Sequence, residues 1–82
     1  MQIQEEGGGT LESLELGEVA TVRALCVPEE NRRRMLELGF VPGNAVAAEL
    51  LSPWGDPVAY RIGGAVIALR RRDARHILIN RT

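Results

Sequence analysis

The chain has 82 residues and a mass of 9.0 kDa, enough for one small domain and no second core. With 45% hydrophobic and 26% charged residues it has the composition of a folded domain rather than a disordered tail. Its formal charge of −1 disfavours a generally basic nucleic-acid binder.

Two asymmetries lie beneath that average. All ten basic residues are arginine, which removes a Schiff-base amine and the lysine of a phosphate loop. Residues 1–30 carry seven acids against Arg23, whereas residues 31–82 carry nine arginines against Glu37, Glu49, Asp56 and Asp73.

In chain order, residues 1–10 are acidic and glycine-rich without a period and read as a mobile tail, leaving a domain over 11–82. They lack the basic and apolar regions of a secretory signal, and no apolar run approaches a membrane span, so a cytosolic location is expected. Leu11 and Leu14 fit a short helical turn ended by Gly17. Glu18 to Leu25, rich in Val and Thr, reads as a strand. Pro28 at a first helical position, Glu29 and Glu30 in the first turn and Gly39 past Leu38 bracket a helix of about ten residues. Glu29–Arg33 and Glu30–Arg34 are spaced for ion pairs along it, and Arg32 falls in the same arc as Met35, Leu36 and Leu38.

Phe40-Val41-Pro42-Gly43 reads as a turn, with Pro and Gly in the order that type II turns prefer. Asn44 to Leu51 alternates, which places Val46, Ala48 and Leu50 on one face. Ser52-Pro53-Trp54-Gly55-Asp56-Pro57 is a loop, Val58 to Ile62 a strand, Gly63-Gly64 a hairpin turn and Ala65 to Arg70 another strand. One helical turn over Arg71 to His76 and a last strand over Ile77 to Ile79 complete the chain. The fold class is mainly β: a small antiparallel barrel of about five strands with one inserted helix.

Little in this inventory is catalytic. His76 is the only histidine, and Ser13, Ser52 and Cys26 have no base or orienting group near them in sequence, so the chain is read as no enzyme. Cys26 cannot form an internal disulfide, and scattered Cys, His and Met lack metal-ligand spacing, so no metal and no cofactor are expected. The strongest polar features are Arg32-Arg33-Arg34 and Arg70-Arg71-Arg72 with Arg75, suited to carboxylate or phosphate if they approach in space. A salt-bridged solvated surface is the simpler reading of the same residues. Phe40, Trp54 and Tyr60 are too few aromatics for base stacking on RNA. Trp54, at the tip of its loop, is either tucked onto the barrel or held out as an interface anchor.

Five segments, taken together, resemble the FeoA family. They are Leu11-x-x-Leu14-x-x-Gly17-Glu18, Arg34 to Gly43, Ser52 to Pro57, Gly64-x-x-Ile67-Ala68-Leu69-Arg70 and Ala74-x-x-Ile77-Leu78-Ile79. The resemblance runs from Leu11 to Ile79 and implies an SH3-like barrel. It further implies a cytosolic accessory protein that binds the G-protein part of the membrane ferrous iron transporter FeoB and supports or regulates Fe²⁺ uptake, with membrane contact only through the transporter. An arginine supplied in trans can assist phosphoryl transfer, which makes GTP hydrolysis one point of action. The candidate partner-binding residues are Arg32, Arg33, Arg34, Leu36, Phe40, Trp54 and Tyr60. Self-association is compatible with the sequence, and nucleic acid is not an expected partner. The same barrel as a regulatory module of iron-dependent repressors, or as an RNA binder, are the alternative readings.

Overall fold

The computed structural model describes residues 8–81. It holds six strands and two helices. The strands are β1 Gly8–Thr10, β2 Val19–Leu25, β3 Ala45–Leu51, β4 Val58–Ile62, β5 Ala65–Leu69 and β6 Ile77–Arg81; the helices are α1 Glu29–Leu38 and α2 Arg71–Ala74. A 3₁₀ turn over Leu11–Ser13 joins β1 to the rest. One antiparallel sheet in the order β1-β6-β2-β3-β4-β5 takes all six strands.

The strand absent from the sequence reading is β1. The expected tail over residues 1–10 ends early: Gly8, Gly9 and Thr10 pair with Asn80, Ile79 and Leu78, while residues 1–7 lie outside the described ones. Three residues carry no alternation, so the segment is held by what its partner offers. Arg81 supplies the lock: its guanidinium donates to the Gly8 carbonyl at 2.7 Å, to the Ser13 carbonyl at 3.0 Å and to the Glu18 carboxylate at 2.9 Å.

Glu18 also accepts the Glu15 N–H, and this bond with the Arg81 contact holds its carboxyl below the ordinary value of 4.5. A lowered carboxylate stabilises the fold above its unfolded pKa, and that contribution is lost as pH falls through the folded one. Glu18→Gln is therefore expected to lower stability slightly at neutral pH and to flatten its pH dependence, so that the variant and the wild type converge as pH falls below about 4.5. Comparing the two curves by circular dichroism checks this.

Two bulges decide which side chains face inward. In β2, an extra residue between Val22 and Ala24 resets the register against β6, so Ala20, Val22 and Leu25 all point to the core. In β3 the shift lies between Ala48 and Leu50, at Glu49. Sequence alternation placed Leu50 inside with Val46 and Ala48; the bulge turns it out, opposite Ala59, and leaves it 64% exposed.

The core is apolar throughout, and Leu11, Met35, Phe40, Tyr60, Ile62, Ile77 and Ile79 are its largest fully buried side chains. Edge strands β1 and β5 do not pair with each other among the described residues. The 3₁₀ turn packs on β6 and α2, seating Leu11 in the core and receiving the Tyr60 hydroxyl on its carbonyl at 3.4 Å. Burial pushes the Tyr60 phenol up from its ordinary pKa, which keeps it a neutral donor.

α1 matches its sequence signals except at its start, where Pro28 is the N-cap rather than the first helical residue. Gly39 ends it at φ +113°, a conformation that favours glycine, with its N–H donating to the Leu36 carbonyl. The turn read over Phe40–Gly43 falls one residue later, on Val41–Asn44: the Asn44 N–H donates to the Val41 carbonyl at 2.9 Å, and Gly43 takes φ +101°. The 3₁₀ turn stops at Ser13 rather than at Gly17, because Leu14 is already extended; Gly17 serves a separate turn in which the Glu18 N–H donates to the Glu15 carbonyl.

Candidate functional site

α1 is anchored on few contacts. Met35 is its only fully buried residue, and Leu36 and Leu38 are half-buried against the core. The three consecutive arginines therefore differ in role. The Arg32 guanidinium turns back and donates to the Leu25 carbonyl at the end of β2, at 3.0 Å, so it ties the helix down. Arg33 pairs with Glu37 at 3.5 Å, and the spacing-based pairs Glu29–Arg33 and Glu30–Arg34 do not form. All three combinations are exposed and of similar small energy, so the side chains choose among them at little cost. Arg34 is exposed and has no ion pair or hydrogen bond within the described residues.

A second basic element sits at the same corner. The Cys26 N–H, just past β2, donates to the His76 carbonyl, just past α2, at 2.8 Å. This bond brings the chain just before α1 beside the chain just after α2. Arg70 and Arg72 are exposed and free of partners among the described residues, and Arg75 pairs with Glu12 at 3.6 Å.

Arg71 faces the other way and organises the loop between β3 and β4. It donates through Nε to the Gly55 carbonyl at 2.6 Å and through its backbone N–H to the Asp56 carboxylate at 3.0 Å. The loop is also closed on itself, by the Gly55 N–H on the Ser52 carbonyl and the Ser52 N–H on the Pro57 carbonyl. From this braced loop Trp54 projects with 89% of its surface exposed. Of the two readings of that residue, the structure selects the projecting one. Leu50, Leu51 and Pro53 lie exposed beside it in sequence and extend the apolar tip.

The residues read as partner-binding therefore separate. Trp54, Arg33 and Arg34 are at the surface, Leu36 is half-buried at the helix edge, and Arg32 is bound to the backbone. Phe40 and Tyr60 are corrected: both are 0% exposed core residues and cannot touch a partner in the folded chain. Scarce aromatics in a small chain serve the interior first, since each buries so much apolar area. What sequence reasoning missed is Arg71 as the brace of the Trp54 loop and the outward turn of Leu50; no local signal marks either, because both depend on partners distant in the chain. The outer face of β2, β3 and β4 adds an open groove of about 390 Å³ lined by Val19, Ala45, Ala47 and Arg61, with the Arg61–Glu49 ion pair at 2.6 Å beside it.

This arrangement offers surfaces rather than chemistry. Among the described residues no three His, Cys, Asp or Glu side chains gather as a metal site, and no helix is long and apolar enough to cross a membrane.

Comparison with known proteins agrees on one family. The FeoA domain model matches residues 9–81. Over 46 residues, 56% of this chain, it is 46% identical to a Fe(2+) transport protein A/Fe(2+) transporter FeoB fusion protein of Porphyromonas gingivalis, and the match spans 6% of that protein's length. Iron(II) transport protein A of Clostridium thermocellum superposes with a TM-score of 0.84 at 33% identity, covering 89% of this chain and 45% of that one. The zinc-complexed FeoA of Stenotrophomonas maltophilia, described as a prokaryotic SH3 domain protein, has a TM-score of 0.71 at 32% identity, covering 87% and 88%. A manganese-dependent transcriptional repressor shares the fold alone, at a TM-score of 0.82 and 15% identity. The chain belongs to the FeoA domain family, which links it to ferrous iron transport, and it has the SH3-like fold of that family.

Proposed function

We propose that this chain acts in the cytoplasm by docking on the G-protein region of a FeoB-type ferrous iron transporter and supporting Fe²⁺ uptake. The observation that carries this reading is the fusion of a 46%-identical stretch to FeoB in a single polypeptide. Two activities joined in one chain work at a high effective concentration, which favours a domain whose own affinity for its partner is modest. The docking surface is the rim formed by α1, α2 and the Trp54 loop. Trp54 supplies a rigid apolar anchor, and Arg34, Arg70 and Arg72 supply unpaired positive charge for an acidic partner.

The test is binding of the purified chain to the cytosolic domain of the transporter, paired with ferrous uptake in cells lacking the chain. Binding is expected to weaken as salt rises, because exposed arginines are screened beyond about 10 Å at 0.1 M ionic strength. Replacing Arg34, Arg70 and Arg72 together by Ala is expected to slow association roughly 10-fold or more while leaving the melting temperature nearly unchanged. No binding in any nucleotide state, together with unimpaired uptake, would sink the proposal.

A further inference from the structure

The sheet has two edges, and only one is protected. β1 is three residues long and two of them are glycine. β5 runs Ala65-Val66-Ile67-Ala68-Leu69, with no charge, no proline and an unbroken register against β4. Globular proteins commonly guard such an edge with lysine, proline or a bulge, because its free main-chain groups are a template for another strand. The β5 edge has none of these guards.

The ladder tells which main-chain groups are free. A two-residue turn, Gly63-Gly64, joins β4 to β5, and the pair flanking such a turn, Ile62 with Ala65, is hydrogen-bonded. Opposed pairs in an antiparallel ladder alternate, so Ala65, Ile67 and Leu69 direct N–H and C=O towards β4. Val66 and Ala68 direct theirs away from the sheet. Among the described residues nothing else bonds to them, and both side chains are exposed.

We propose that β5 is the seam of a weak symmetric dimer, in which two copies of this chain pair β5 with β5 antiparallel about a twofold axis at Ile67. The free groups lie symmetrically about that residue, one position to either side. The axis sets Val66 opposite Ala68 of the second copy and Ala68 opposite its Val66, so both pairs exchange their outward N–H and C=O groups. It also sets Arg70 opposite Gly64, so no like charges meet across the seam. Any edge strand can meet its own copy in this way; what fits β5 for it is the absence of charge, proline and bulge along the pairing residues. Five residues a side bury less than the ~1,200 Å² typical of stable interfaces, so the dimer forms at high local concentration.

Amide hydrogen exchange with the intact chain, from micromolar to millimolar concentration, tests the seam. Val66 and Ala68 amides are expected to gain at least about 10-fold protection with concentration, while Ile67, already bonded to β4, changes little. Sedimentation should show the weight-average mass rising in parallel. Val66→Lys/Ala68→Lys sets like charges opposite one another and should abolish both effects. Val66→Lys/Ala68→Glu sets opposite charges together and should restore them. Unchanged protection of Ile67 and Tyr60 amides verifies that each variant is folded. The proposal is overturned if the Val66 and Ala68 amides ignore concentration, or if association survives the double lysine variant. Protection that appears only on adding the transporter's cytosolic domain would assign the edge to that partner and overturn the dimer.

Discussion

Replacing Trp54 by Ala is expected to weaken binding to the transporter's cytosolic domain at least about 30-fold, corresponding to ~2 kcal/mol for an interface anchor. Stability should move by no more than about 0.5 kcal/mol, because 89% of the side chain already lies in water. The loop that carries it is braced independently of the indole, by Arg71 on Gly55 and Asp56, so the backbone should hold its course without the ring. Isothermal titration of the wild type and the variant, with thermal melts of both, separates the two quantities. An unchanged affinity would remove Trp54 from the docking surface. Arg71→Ala makes a second probe of the same site: it leaves the indole in place but frees the loop, and should weaken binding by raising the ordering cost on association.

The opposite split is expected for Phe40. The side chain is fully buried behind Gly39, at the end of α1, and its N–H donates to the Met35 carbonyl at 3.1 Å. Truncation to Ala should cost about 3–5 kcal/mol from lost burial and the cavity left behind. Against a total of roughly 5–15 kcal/mol for a domain, that brings the chain close to unfolding and lowers the melting temperature by roughly 15 °C or more. Phe40→Leu, which refills most of the space, should recover much of the loss. Any folded fraction of Phe40→Ala should still bind, since Phe40 does not reach the surface. A variant that melts like the wild type yet fails to bind would return Phe40 to the interface.

These two aromatics show where sequence reasoning reaches and where it stops. Both lie in segments that carry the family resemblance, and both were reasonable anchors on residue type alone. Burial separates them, and burial is a property of the folded sheet and the elements packed on it. The helix was legible because its signals are local: Pro28 and two acids at one end, a left-handed Gly39 at the other. The same holds for the Gly63-Gly64 hairpin and, to within one residue, for the turn at Pro42-Gly43. β1 was not legible, because three residues without alternation become a strand only when β6 and Arg81 receive them. The Glu49 bulge was hidden for a related reason. Alternation predicts a face only while the register is continuous, and nothing in the residues around Glu49 announces the break.

The basic surface follows the same division. The arginine excess after residue 30 is written in the sequence, yet its distribution into roles is not. Arg32 and Arg81 are spent on backbone carbonyls, Arg71 on bracing a loop, Arg33, Arg61 and Arg75 on ion pairs, and Arg34, Arg70 and Arg72 are left free among the described residues. The sequence by itself determined the family, the order of its local elements, the absence of lysine chemistry and the sign of the charged half. Tertiary structure alone decided which arginines remain for a partner, which aromatic stands in water and which sheet edge is open. The physical reason is that capping, turn and charge preferences act within a few residues, whereas burial, register and hydrogen-bond satisfaction are settled only when distant segments meet.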